Sequence, residues 1–277
     1  MPCGGNGWHR TNIIIEVPTG KKSTAASRRA ERNARARRQR HDEVDLDADP
    51  FPRHKLTITG VRTRSLLHTM VETIQEDLPT REIHWHGYEE HWQPPYRDFP
   101  SERVWGDLYT SDAFLKAERD LLSSQVHPAC PSVIVAYMFW SDSTHLAQFG
   151  QTKAWPIYAY IGNQTKYTRC KPSAQSARVI GYIPPVRGFF YSNTQLKQNA
   201  VQLPDSFAEE LRSRDVSPTP TLFAHCRREL FHAVWRLILD PEFLHSYEHG
   251  VTLLCSDGIL RQVYPRIFTY SADYPEK

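Results

Sequence analysis

The stretch from Pro131 to Pro185 constrains this chain more than any other. It holds three short apolar runs in succession: Val133 to Trp140, Ala154 to Asn163, and Ala177 to Pro184. Each is rich in β-branched and aromatic residues and is bounded by Gly, Pro, Asn or Ser, which predicts three buried strands. Asp142 stands just past the end of the first run. A carboxylate there lies at the rim of a sheet, backed by rigid strand, where a catalytic or metal-binding group is well supported.

A chain of 277 residues makes one or two domains with a sizeable core. No apolar run approaches the roughly 20 residues needed to cross a bilayer, so no membrane partner is expected. The N-terminus lacks the apolar segment of a secretory signal. The five cysteines, Cys3, Cys130, Cys170, Cys226 and Cys255, are scattered and odd in number. No pair has zinc-ribbon spacing, which predicts reduced, buried thiols in an intracellular protein.

The net charge is only +3, but it is unevenly placed. Residues 1 to 50 read as a disordered tail, because apolar residues are too few there to offset the entropy of ordering. Lys21 and Lys22 are followed by Arg28, Arg29, Arg32, Arg35, Arg37, Arg38 and Arg40, and then by Asp42, Glu43, Asp45, Asp47 and Asp49. The arginines suit a nuclear-import signal or an arm that displaces counterions from DNA phosphates. A solvated tail of charge blocks is the plain alternative.

Residues 51 to 103 read as a helical and irregular segment. Leu66, Leu67, Met70, Val71, Ile74 and Leu78 form a helical stripe within Thr63 to Leu78. His84, His86 and His91 lie near Glu89 and Glu90 in an aromatic, proline-bearing stretch. Imidazoles and carboxylates suit Zn²⁺, but no spacing puts these on one face, so an ordinary loop is expected. Ser111 to Ser123 predicts a second helix, capped by Thr110 or Ser111.

Beyond the third run, Ser206 to about Arg214 predicts a short helix with a capping box. Thr219-Pro220 opens the strongest helix, with Phe223, Cys226, Leu230, Val234 and Leu237 on one stripe and an end or kink at Asp240-Pro241. Val251 to Cys255 and Ile259 to Ala272 predict two more strands, the first followed by the turn Ser256-Asp257-Gly258 and the second by Asp273. The expected class is therefore α/β, in the order of a ribonuclease H-like fold: a mixed sheet of three antiparallel strands, then a helix, then a strand returning parallel to the first. Parallel return brings the far ends of two strands together, and two carboxylates side by side invite a divalent cation. Mg²⁺ accepts few carboxylates plus water and phosphate oxygens. Two such ions about 4 Å apart can activate a nucleophile and stabilise the leaving oxygen in phosphodiester cleavage.

Several ordered blocks carry a more specific likeness. They are Val104-Trp105-Gly106-Asp107-Leu108-Tyr109-Thr110, Ser141-Asp142-Ser143-Thr144-His145-Leu146-Ala147-Gln148-Phe149-Gly150, Ala154-Trp155-Pro156-Ile157-Tyr158 and Gly162-Asn163. Arg169-Cys170-Lys171-Pro172-Ser173, Gly181 to Pro184, Leu230 to His232, Cys255 to Pro265 and Ala272 to Glu276 continue the series. Over residues 104 to 277 the chain resembles the Plavaka-type transposases of fungal mobile elements, related to the CACTA superfamily of cut-and-paste transposases.

The resemblance implies a DDE/D nuclease that acts on DNA at transposon ends, with Mg²⁺ or Mn²⁺, in the nucleus. A homo-oligomer is compatible with it. Asp142 matches the first acid of the pattern, Asp273 is the choice for the second, and Asp257 is its rival. Asp273 is favoured because its strand can return beside the first while Val251 to Cys255 forms the hairpin neighbour. Asp142 and Asp273 are then the metal ligands. Lys166, Arg169 and Lys171 are candidate phosphate contacts near them, as Arg28, Arg29, Arg35, Arg37 and Arg38 are in the tail. Trp140 and Trp155 read as core. The family's third acid, on a later helix, has no match before Lys277, so the expectation is a truncated core that does not cleave DNA by itself. The alternative is a non-catalytic nuclear DNA-binding or interaction module that uses the basic arm.

Overall fold

The computed structural model describes residues 7–18, 53–77, 83–96, 99–124, 130–142, 144–145, 153–183 and 220–272. Its strands are Trp8–Pro18 (β1), Arg53–Arg64 (β2), Glu90–Trp92 (β3), Glu102–Val104 (β4), Ser132–Ser141 (β5), Thr144–His145 (β6), Lys153–Ala154 (β7), Pro156–Ile161 (β8), Arg178–Tyr182 (β9), Val251–Leu254 (β10) and Leu260–Ala272 (β11). Its α-helices are Leu66–Glu72 (α1), Asp112–Ser124 (α2), Lys166–Arg169 (α3), Pro220–Ile238 (α4) and Pro241–His249 (α5). The chain divides into two units: Met1–Thr11, Val61–Ile183 and Val234–Lys277 form one, and Asn12–Gly60 with Pro184–Ala233 the other.

The first unit is α/β and is built on a mixed sheet in which the end of β2 is followed by β9, β8, β5, β11 and β10. β5, β8 and β9 pair antiparallel in sequence order. β11 returns parallel to β5 on its other side, and β10 is the antiparallel edge partner of β11. β5 is central because it is apolar on both faces: Val133 to Tyr137 are all fully buried. Side chains alternate along it. Ile134 and Ala136 join Tyr109, Phe114, Leu121 and Tyr264 in a cluster beneath α2. Tyr137 and Phe139 face the other way, where Phe243 of α5 meets Tyr137 edge-on and Trp235 of α4 meets Phe139 edge-on. The Tyr137 hydroxyl donates to the Leu66 carbonyl at 2.7 Å.

A one-residue irregularity lies in β11: Ile267 pairs with Tyr137 but Thr269 with Met138, leaving Phe268 without an opposite number. Phe268 stacks on Phe114. Such a bulge swaps the faces of every residue after it. Tyr270 therefore points to the side of Phe139 and Ser141, where its ring meets Trp235.

In the second unit the β1 residues Ile13, Ile15 and Val17 are buried while Ile14 is exposed, and Leu56 and Ile58 of β2 alternate in the same way. On α4, Cys226 and Leu230 are fully buried one turn apart. The His225 ring lies 3.2 Å from the Glu16 carbonyl.

Several expectations change. Trp8–Pro18 is a strand rather than part of a disordered tail. Its alternating Ile13, Ile15 and Val17 are the signal that composition over the whole tail hides. Arg53–Arg64 is a strand in a segment read as helical and irregular, so the helical stripe begins only at Leu66 and passes into a wider, π-type turn at Thr73–Asp77. Ser111 caps α2 by accepting from the Phe114 N–H at 3.2 Å. Asp240 does not merely end α4: its carboxylate accepts from the Phe243 N–H at 2.7 Å and starts α5. The predicted helix from Ser206 lies outside the described residues, as do Arg28, Arg29, Arg35, Arg37, Arg38 and the rest of that basic run. No helix among the described residues is long and apolar enough to cross a membrane.

Candidate functional site at the tips of β5 and β11

The parallel pairing of β5 and β11 runs from Gln262 opposite Ser132 to Ala272 opposite Ser141. The next residue in the sequence after each partner of that last pair is an aspartate, Asp142 and Asp273. Asp142 is half-buried; Asp273 lies outside the described residues. The strand ends are held from below. The hydroxyls of Ser141 and Tyr270 lie 2.6 Å apart, and Trp235 packs edge-on against both Phe139 and Tyr270. Directly after Asp142 the chain forms the small β6–β7 ladder, with Thr144 opposite Ala154 and His145 opposite Lys153.

Asp257 sits elsewhere. It occupies the β10–β11 turn, at the end of β11 where β5 begins, so the length of β5, about 30 Å, separates it from Asp142. Its two carboxylate oxygens accept from the two terminal nitrogens of Arg261, each at 2.7 Å, and one also accepts the Ile259 N–H at 3.1 Å. The Arg261 hydrogen bond holds the Asp257 carboxyl below the usual aspartate range. Asp257 thus organises a turn and its strand.

The Lys166, Arg169 and Lys171 connection also lies at the far end. The Gly162 N–H donates to the Ala136 carbonyl at 2.7 Å, so the chain leaves β8 beside the first half of β5, away from Ser141. These cations are therefore not the neighbours of Asp142 that the sequence suggested, because the antiparallel β5–β8 pairing carries them to the opposite rim. Arg169 is taken up internally, contacting the Gly162 and Gln164 carbonyls and Asp107. The Arg169 and Asp107 side chains are only 13 % and 10 % exposed. Lys166 and Lys171 remain exposed beside Tyr167.

Asp107 and Asn163 are the residues that the sequence reading did not assign. Asp107 accepts the Lys166 N–H at 2.8 Å and the Tyr109 hydroxyl at 3.2 Å. Burial, with the neighbouring Asp107 carboxylate, pushes the Tyr109 phenol far up. Asn163 is fully buried: its amide oxygen accepts the Ala136 N–H at 2.8 Å, and its amide nitrogen donates to the Ile134 and His84 carbonyls at 2.8 and 2.9 Å. Their only sequence signal is membership of the blocks Val104 to Thr110 and Gly162-Asn163.

The histidines near residue 90 face different partners. His84 stacks on Tyr109, His86 bonds Glu118 at 2.8 Å, and His91 bonds Glu89 at 3.2 Å. Cys130, Cys226 and Cys255 are buried, whereas Cys170 is exposed. Burial pushes the Cys226 thiol up to about 11. Trp140 is not core: it is 40 % exposed and stacks on Tyr158 at 5.2 Å, because α2 covers only the first half of that sheet face. Among the described residues no group of three or more His, Cys, Asp or Glu side chains is placed to hold a cation. What the tip offers is a carboxylate, a donor type that suits Mg²⁺ or Mn²⁺ better than a soft metal.

No curated protein and no solved structure matches this chain. A family model described as Plavaka transposase matches residues 84–277.

Proposed function

Because the chain belongs to the Plavaka transposase family, we propose that its mixed sheet is the ribonuclease H-like core of a nuclear DNA-end-processing enzyme, in which Asp142 and Asp273 hold a divalent cation. The observation that carries this reading is the β5–β11 register, which ends at Ser141 and Ala272 with an aspartate next in the sequence after both strands. When bound, Mg²⁺ or Mn²⁺ would supply activation of a water or hydroxyl nucleophile and charge stabilisation at a scissile phosphate. The residues of the chain position the site. The Ser141–Tyr270 hydrogen bond and the Trp235 ring keep the two strand ends in step, so that a carboxylate at position 142 needs little reorganisation to meet its partner. Asp257 has no part in this site, since its oxygens are committed to Arg261 at the other rim. The substrate class is DNA, in line with the family and with the arginine run at residues 28 to 40.

The test is thermal unfolding of the full chain with and without millimolar Mn²⁺. A cation bound at ten times its Kd stabilises by about 1.4 kcal/mol. The wild-type and Asp257→Ala proteins should both shift upward on adding Mn²⁺, and Asp142→Ala should not. A shift retained in Asp142→Ala, or lost in Asp257→Ala alone, would overturn the assignment.

A further inference from the structure

The β3–β4 hairpin and its flanks carry large aromatic side chains that stay exposed. Tyr88, Trp92, Tyr96, Phe99 and Trp105 are between 44 % and 71 % exposed. Five exposed large aromatics within eighteen residues is a dense set, in which Trp105 lies by Arg103 and Trp92 on the opposite face of the hairpin. The pairing of the hairpin shows what stands beside them. Glu90 pairs with Val104, His91 with Arg103, and Trp92 with Glu102. Residues two apart on a strand share a face, so Trp92 lies on one face with Glu90 beside it and Glu102 across from it, all three exposed.

Arg103, the one arginine on the hairpin's two strands, belongs to the other face. It pairs with Glu89 at 3.2 Å and Asp112 at 3.5 Å and donates to the Thr110 carbonyl at 2.9 Å. Glu90 and Glu102 pair with no cation among the described residues. From Ile83 to Asp112 the sequence holds six Asp or Glu residues against two arginines. That charge repels phosphates and argues against nucleic acid here. It attracts a guanidinium, which can stack flat on an indole while donating in-plane hydrogen bonds to a carboxylate beside the ring. Arg103, 5.8 Å from the Trp105 ring centroid, already makes this kind of contact within the hairpin.

We propose that the β3–β4 hairpin docks an arginine-bearing segment of a partner protein, with a guanidinium on the Trp92 ring and its in-plane donors on the Glu102 carboxylate across from it. The inference does not depend on the reading of the β5–β11 tip.

Fluorescence anisotropy with the full-length protein tests it, using a labelled alternating Arg-Ala peptide, its Lys-Ala counterpart and a labelled single-stranded oligonucleotide. The arginine peptide should bind more tightly than the lysine one. Trp92→Ala should weaken it about tenfold, and Glu102→Gln several-fold, with both variants melting like the wild type because the side chains are exposed. A wild-type protein indifferent to the arginine peptide, or a Trp92→Ala variant that binds it unchanged, would overturn the proposal. So would a Trp92→Ala variant that loses oligonucleotide binding only, which assigns the ring to DNA. Loss of a dimer in Trp92→Ala without any peptide binding would assign it to a second copy of the chain, with the same consequence.

Discussion

The Ser141 and Tyr270 hydroxyls meet at 2.6 Å, joining the ends of two strands that run parallel but lie 129 residues apart in the chain. Tyr270 reaches Ser141 only because the bulge at Phe268 has already exchanged the faces of β11. Tyr270→Phe keeps the ring on Trp235 and removes the bond. We expect a loss of about 1 kcal/mol in urea unfolding. The thermal response to Mn²⁺ should weaken as well, since the strand ends lose a tie.

Asn163 is a structural clamp. Three main-chain groups, two of them on β5, depend on its amide. Asn163→Ala leaves a buried N–H and two carbonyls without it and should cost about 3 kcal/mol or more, read as a lower urea midpoint. Asn163→Asp should not rescue, because a carboxylate cannot donate to the Ile134 and His84 carbonyls.

Arg169 and its neighbours Lys166 and Lys171 should separate cleanly in experiment. Arg169→Ala strips a nearly buried carboxylate, Asp107, of its cation and should destabilise the fold by about 3 kcal/mol. Lys166→Ala with Lys171→Ala removes exposed charge and one long surface contact, Lys166 Nζ to the Gly106 carbonyl at 3.4 Å, and the melting temperature should stay within about 2 °C of wild type. If this rim touches duplex phosphates, the slope of log affinity against log salt should fall by about 1.8 in the double lysine variant.

The Asp257–Arg261 pair gives a signed pH dependence. The folded carboxyl lies below its unfolded value, so its stabilisation is complete above about pH 4 and is lost as pH falls through the folded value. Asp257→Asn should therefore be less stable than wild type at pH 7, with the gap closing under acid. Urea midpoints at pH 7, 4 and 2.5 read this directly. A gap that widened toward pH 2.5 would contradict the pairing.

The local chemistry of the chain already determined much of this. β-Branched runs with turn residues at their ends specify β5, β8, β9 and β10 to within about two residues at each end, the second run also taking in Ala154 of the separate strand β7, and Pro220 marks the start of α4. A serine at 111 and an aspartate at 240 specify helix starts through groups that lie within three residues of them. The strand β1 was also legible in its alternation of Ile13, Ile15 and Val17, but averaging over a charged tail buried the signal. These features depend on neighbours along the chain, and the sequence states who those neighbours are.

Which distant residues meet was left to the tertiary structure. Nothing in the spacing tells Asp257, beside a glycine, from an acid at a strand tip; only the direction of β11 puts it at the far rim, where Arg261 claims it. Likewise, Lys166 and Arg169 look close to Asp142 in sequence, yet an antiparallel return carries them away from it. The bulge at Phe268 has no local signature and still sets the last pair at Ser141 and Ala272. Each of these is a matter of strand direction and register, which hydrogen bonding between remote segments selects and which a one-residue shift would reverse.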